Sequence, residues 1–405
     1  MRTSRRNRTL LLAMTMLMII AASARLQADT GTCEGVSITL PFTDVAAGNI
    51  FFCSIAEAFF SGLSNGTSAT TYSPSATVTR EQMAAFVTRT MDQSLKRGSR
   101  RAALKQFWTH TAATAFITRY IGDGPLLVES DGADLWVANS GSGTVSRVRA
   151  SDGYPLGTWT GAPGATGVLA AIGLIFVTGN TNPGAVYVID PIGGSGPVGF
   201  QLSPWGANPL AISFDGERIW TANNGSVSIL TFDLRIPIFS LNTVTAGFDN
   251  TQLNGILYDG SNIWVSGTNH NRGKLFKLDS NGGIIQTVNA GNVLKLPVFD
   301  GTNIWVPSQG SDAGSDSVMV VRASTGEILA TLTGNGLNGP VTAAFDGERI
   351  LVTNYAGNSV SLWRATDLSP LGFFPTGAGT VPYGACSDGL NFWITLSNAG
   401  ELVRF

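Results

Sequence analysis

The chain has 405 residues, 49 of them glycine, with only 13% charged, three cysteines and two histidines. That length and turn-residue content suit a large all-β protein. Three cysteines exclude a disulfide scaffold, and His110 and His270 alone exclude a histidine-rich zinc site.

Residues 1–28 read as an export signal. Arg2, Arg5, Arg6 and Arg8 give a basic start, and Leu10 to Ala22 is an apolar run too short to span a bilayer, which needs about 20 residues. Small residues follow at Ala22-Ser23-Ala24 and at Ala28. Cleavage is the expectation and a retained anchor the alternative; after cleavage no integral membrane segment is expected. Taking those four arginines from 25 basic residues leaves 21 against 27 acidic ones. A mildly acidic chain is not built to bind nucleic acid. The expected location is outside the cytoplasm: periplasm, cell surface or medium.

Residues 38–95 have a different texture. Ile50, Phe51, Ile55, Ala58, Phe59 and Leu63 fall at helical spacing. A second helix is predicted from Thr79, where Thr79 and Gln82 form a capping box and Val78 can meet Met83 as a staple. Phe42-Thr43-Asp44-Val45, Ala56 to Gly62, Tyr72-Ser73-Pro74 and Thr79-Arg80-Glu81-Gln82-Met83-Ala84-Ala85-Phe86 together resemble an S-layer homology module. That resemblance implies a small helical module that binds cell-wall polysaccharide, with Arg80 facing an acidic sugar substituent and Thr79 and Glu81 beside it. A guanidinium fork at a helix N-terminus suits a carboxylate; the bland reading is a capping threonine and a solvated arginine. The family commonly presents three modules, and this chain has one. Cys33 and Cys53 either pair in an oxidising compartment or stand as two buried thiols. Residues 96–110, with Lys96, Arg97, Arg100, Arg101 and Lys105, read as a basic linker or a basic patch.

From residue 111 onward one phrase repeats. Phe299-Asp300-Gly301-Thr302-Asn303-Ile304-Trp305 recurs at Phe214 to Trp220 and Tyr258 to Trp264, and more loosely at Ser130 to Trp136, Phe345 to Leu351 and Ser387 to Trp393. Ile172-Gly173-Leu174-Ile175-Phe176 is a degenerate copy. Seven units at about 43-residue spacing fall in the range of propeller blades. Asp-Gly supplies a tight turn between two apolar runs, and the ring that follows is a regular packing point. Each unit reads as four strands; in the fifth, Leu296 to Phe299 is the first. The last copy ends at a third strand, Leu402 to Phe405, while Ala115 to Ile121 reads as a spare fourth. The N-terminal strand is therefore expected to complete the last blade and close the ring.

The second strands Trp136-Val137-Ala138-Asn139, Trp220-Thr221-Ala222-Asn223 and Leu351-Val352-Thr353-Asn354-Tyr355 resemble the YVTN-type propeller repeat of bacterial surface and periplasmic proteins. The resemblance covers residues 115–405 and implies a fold and a location more than an activity. The expectation is thus an all-β seven-bladed propeller with a small N-terminal helical module.

The sequence offers no convincing catalytic constellation, and no cofactor or metal is expected. Ser311 to Asp316 could supply oxygen ligands to calcium or be a solvated insertion. The Asp-Gly turns lie on one face; the other carries Asn139, Asn180, Asn182, Trp205, Asn208, Asn223, Asn224, Asn250, Asn269, His270, Asn271, Asn335, Tyr355 and Asn358. Of these, Trp205, Asn223, His270, Asn354 and Tyr355 are the chief candidates to bind a glycan, peptide or protein; the alternative is that asparagine merely suits loop backbones. Two functions are weighed: a non-catalytic envelope protein that anchors by its module and binds by its propeller, and an exported lyase or hydrolase of the virginiamycin B lyase type.

Overall fold

The computed structural model describes residues 29–33, 36–60, 64–86, 117–150, 152–192, 194–198, 200–205, 207–233, 238–245, 247–248, 251–312 and 314–405. The expected signal segment and basic linker lie outside these residues. The described residues fall into two compact bodies, 29–86 and 117–405. No helix among them is long and apolar enough to cross a membrane.

The N-terminal body is a mixed structure. A hairpin of Thr30–Cys33 and Val36–Thr39 packs with helix Phe52–Phe60 around Leu40, Phe42, Val45, Phe52, Ile55 and Ala56. Asn49 starts the helix, its side chain accepting the Phe51 amide at 2.8 Å. The helix therefore begins later than its apolar spacing suggests, and Ile50 is exposed while Phe52 takes the inward position. Asp44 accepts the amides of Tyr72 at 2.8 Å and Ser73 at 2.7 Å, so it ties the segment after the hairpin to residues 72–73. Cys33 and Cys53 form a disulfide with Cα atoms 5.5 Å apart. Residues 80–86 are helical.

The second body is a seven-bladed β-propeller. Blades 1 to 6 run in sequence, each an antiparallel sheet whose first strand is innermost: residues 125–160, 165–205, 211–244, 252–289, 293–332 and 340–375. Blade 7 combines Pro382–Ser387, Phe392–Leu396 and Glu401–Arg404 with the N-terminal strand Ile117–Tyr120. The register of that last pair runs from Ile117 opposite Arg404 to Tyr120 opposite Glu401. The ring closes as the unequal strand count at its two ends requires, and the outer edge of blade 7 is covered.

The Asp-Gly turns are held more tightly than turn propensity alone would give. In each, one Asp oxygen accepts two backbone amides, such as Ser261 at 2.8 Å and Asn262 at 2.6 Å for Asp259. The other accepts an indole N–H: Trp136 to Asp131, Trp220 to Asp215, Trp264 to Asp259, Trp305 to Asp300 and Trp393 to Asp388, at 2.7–2.8 Å. All five indoles are fully buried, and the carboxylate lets each bury its polar nitrogen without cost. Blade 6 has Leu351 in the ring position, and Arg349 Nε takes over the Asp346 oxygen at 2.9 Å. Blade 2 has neither partner; its turn carries Ile172 at φ 49° and Gly173 at φ 77°.

A second device links blades. Two residues beyond the ring position, Thr178, Ser266, Thr353 and Thr395 donate to inner-strand carbonyls of the next blade: Leu210, Lys295, Tyr383 and Leu126. In blades 2, 6 and 7 the same hydroxyl accepts an inner-strand amide of its own blade, from Gly167, Thr342 and Gly384, where that strand bulges. In blade 5, where Pro307 occupies this position, the inner strand is split into Val293–Leu294 and Val298–Phe299 rather than running unbroken from Leu296.

Candidate functional site

The face opposite the Asp-Gly turns is built from the loops that follow each second strand and precede each first strand. Its residues divide sharply by one step in sequence. Asn223 and Asn354, expected to contact a ligand, are fully buried. The Asn223 amide donates to Ser226 Oγ at 3.1 Å and Ser228 Oγ at 2.8 Å. Asn354 does the same to Ser359 at 3.1 Å and Ser361 at 2.8 Å, and Asn139 to Thr144 and Ser146. These asparagines lock second strands to third strands, so the ligand-contact role expected for Asn223 and Asn354 is corrected to an internal structural one.

The next residue in each blade has the opposite fate. Ser140, Asn180, Asn224, Thr268, Gln309, Tyr355 and Ser397 occupy one equivalent position around the ring. In five blades the backbone amide there is fastened to the loop before the inner strand: Ser140 to Gly124, Asn180 to Gly164, Asn224 to Ala207, Tyr355 to Gly339 and Ser397 to Val381, at 2.8–3.0 Å. The main chain is fixed while the side chain varies, and none of the seven carries a carboxylate, an ammonium, a guanidinium or an imidazole. The repeat phase marks these positions: each lies four residues beyond the ring that follows the Asp-Gly turn.

Between blades 2, 3 and 4 these positions shape a recess of about 240 Å³, lined by Asn180, Asn208, Leu210, Asn224, Gln252 and Leu253. None of the four carboxamides has a side-chain hydrogen bond among the described residues, and Asn180, Asn224 and Gln252 are exposed. Asn208 is held at φ 52° with its amide on Thr181 O. Thr268 stands opposite Gln252 in register, outside the lining of the recess, and its buried hydroxyl has no partner among the described residues.

The remaining candidates are scattered. His270 and Asn271, at φ 48° and 59°, form the two-residue tip of a hairpin between Ile263–Asn269 and Arg272–Leu278; the exposed imidazole Nδ1 meets Asn269 Oδ1. This is the turn that requires positive φ at both central residues. Tyr355 is half-exposed and meets the ring of Tyr383 edge-on at 6.4 Å; burial, then Tyr355, hold the Tyr383 phenol above its usual range. Trp205 ends the fourth strand of blade 2, and its side chain lies outside the described part. Asp316 accepts the amides of Gly310 and Gly339, tying its loop to the start of blade 6. In the N-terminal body, Thr79 Oγ1 accepts the Gln82 amide at 3.2 Å and Gln82 Oε1 accepts the Thr79 amide at 2.9 Å. Arg80 and Glu81 are exposed beside this capped helix start, and Arg80 has no ion pair among the described residues.

On or beside the inner strands lie ionisable groups of which the sequence singles out only Cys386, as a packing residue of the last repeat. Glu129 in blade 1 has no hydrogen-bond partner among the described residues, and burial pushes its carboxyl up to about 7. Burial, with Glu129 and Asp388 nearby, raises the Cys386 thiol, which packs with Val128, Val137 and Trp393. Burial lowers the ammonium of Lys295 in blade 5. Among the described residues no cluster of His, Cys, Asp or Glu is arranged to hold a metal ion.

The fold is that of the seven-bladed propellers. Solved structures similar to this chain include hydrazine synthase of Kuenenia stuttgartiensis, with a TM-score of 0.59 at 14% identity over 74% of this chain and 98% of that one. Streptogramin B lyase matches with a TM-score of 0.56 at 15% identity over 71% and 97%. The Cps50 (Swd1) β-propeller domain of Myceliophteria thermophila matches with a TM-score of 0.56 at 12% identity over 72% and 99%. At these identities the likeness is one of fold. No family model and no curated protein matches the sequence.

Proposed function

We propose that this is an exported, non-catalytic binding protein of the cell envelope. Its N-terminal body, read as a single S-layer homology module, attaches to wall polysaccharide through Arg80, and its YVTN-type propeller takes a ligand on the face opposite the Asp-Gly turns. The observation that carries this reading is the contrast between the two faces. On one, the Asp-Gly carboxylates are engaged by backbone amides and by indole or guanidinium groups. On the other, Asn180, Asn208, Asn224 and Gln252 surround a recess with their side-chain amides unpartnered among the described residues. Ligand sites are concave and carry a few convergent polar groups among apolar ones, and loops on a rigid scaffold commonly bear them.

The test is cross-linking of bound ligands to the full chain after a glycan and peptide screen, together with pull-down by purified wall polymer. Contacts on the amide-lined face, and loss of wall retention in Arg80→Ala at low salt, are expected. Contacts clustered on Asp215, Asp259, Asp300 and Asp346 would reverse the choice of face, and equal retention of Arg80→Ala would reduce Arg80 to a solvated helix residue.

A further inference from the structure

We propose that the recess between blades 2, 3 and 4 is a subsite for a single uncharged sugar ring. This rests on the reading that the propeller binds its ligand on this face.

Three features lead to that class. The lining of Asn180, Asn208, Leu210, Asn224, Gln252 and Leu253 contains no ionisable side chain. A carboxylate or ammonium entering it would lose hydration and meet no opposite charge, a costly exchange. Each carboxamide presents an acceptor oxygen and a donor NH₂. Sugar hydroxyls likewise donate and accept, so four amides and a ring of hydroxyls can satisfy one another in pairs. Leu210 and Leu253 supply the apolar surface on which the C–H face of such a ring can rest.

Size and rigidity agree. At about 240 Å³ the recess is smaller than the usual range for drug-sized ligands, which begins near ~300 Å³. It suits one ring rather than a chain segment. The amides are carried on backbone that is already fixed: Asn180 N on Gly164 O, Asn208 N on Thr181 O and Asn224 N on Ala207 O, at 2.8–2.9 Å. Pre-organised donors lose little on binding. A peptide is the less fitting occupant, because extended peptides are held by a free sheet edge or an apolar groove, and the recess offers neither.

The experiment is ligand-observed NMR on the full chain. Probes are the methyl glycosides of glucose, galactose and mannose, N-acetylglucosamine, glucuronic acid, glucosamine and a blocked Gly-Gly peptide, at low and high salt. A neutral sugar is expected to bind with affinity indifferent to salt. Asn180→Ala combined with Asn224→Ala should weaken it about tenfold or more, the scale of two lost hydrogen bonds. Asn224→Asp, which removes the donor and keeps the shape, should weaken it as well, while Arg80→Ala leaves it unchanged; melting curves confirm that the variants fold. Preference for glucuronic acid or glucosamine, or affinity that falls with salt, overturns the inference. Binding of the peptide alone, lost in the Asn180/Asn224 variant, also overturns it while leaving the binding face in place. Sugar binding untouched by that variant removes both the subsite and the chosen face, and absence of binding by every sugar probe refutes the subsite.

Discussion

Trp220 donates its indole N–H to Asp215 Oδ2 at 2.8 Å, and the other oxygen of the same carboxylate accepts the amides of Glu217 and Arg218 at 2.9 and 2.6 Å. One side chain thus fastens a turn to the buried ring that follows it. Asp215→Ala should cost about 2–3 kcal/mol, since it leaves the buried indole nitrogen unpartnered. Burial raises the Asp215 carboxyl, but the bonds from Glu217, Trp220 and Arg218 and the Arg218 charge outweigh it and hold it below its ordinary value. A carboxyl lowered on folding contributes stability above its unfolded pKa, and that contribution is lost as pH falls through the folded one. Chemical denaturation across acid pH should therefore show the wild-type advantage over Asp215→Ala shrinking below the ordinary carboxylate range.

Glu129 should behave in the opposite sense. Its carboxyl is pushed up to about 7 by burial, so folding favours its protonated form and stability falls as pH rises from the ordinary glutamate range toward 7. Glu129→Gln should be more stable than wild type at pH above about 7, on the order of 2 kcal/mol, and equal to it at pH near about 4. Denaturation midpoints of the two proteins across that range provide the check.

Asn223 and Asn224 are adjacent and should respond differently. Asn223→Ala removes the donor to the Ser226 and Ser228 hydroxyls and the acceptor of the Thr221 hydroxyl in a buried site, and should cost about 1–3 kcal/mol. Asn224→Ala removes an exposed amide that has no side-chain partner among the described residues and should change stability by no more than about 0.5 kcal/mol. Thermal unfolding of both variants, with ligand binding measured in parallel, separates the structural asparagine from the surface one.

The closing strand is open to a single substitution. Arg119→Pro removes an amide from the ladder opposite Leu402, in step with Ile121, whose amide donates to Gly400 O at 2.9 Å, and should lower the unfolding free energy by about 1–3 kcal/mol, because proline is poorly tolerated where a strand amide is bonded. An unaltered transition would mean that the ring does not depend on its fourth strand in blade 7.

The blade count and the hairpins could be read from sequence because they rest on local chemistry repeated around the ring, with Asp-Gly in six of the seven units. Asp-Gly fixes the turn, and the spare strand at one end with the missing strand at the other fixes how the ring shuts. The indole–carboxylate bond was not legible. A tryptophan five residues after an aspartate reads as packing, and only the return of the second strand brings Nε1 back over the turn. The asparagines failed for a related reason. Whether Asn223 or Asn224 faces inward depends on the register of the third strand, which places Ser226 and Ser228 against one of them. In the N-terminal body, Ile50 and Phe52 are both apolar at the helix start, and the Asn49 cap sets which of them is buried.

The shared seventh blade also sets how the propeller bears mechanical load. Tension arriving along the chain from the N-terminal side of Ile117 enters the ring through one outermost strand, held by the ladder from Ile117–Arg404 to Tyr120–Glu401. Strands 401–404 and 117–120 run antiparallel, so a pull along them is resisted by the whole ladder at once rather than by one bond at a time. When it yields, the ring loses its fastening while the other six blades keep all their strands. The ring thus has a defined weak link, and it lies in the four residue pairs where its two ends meet.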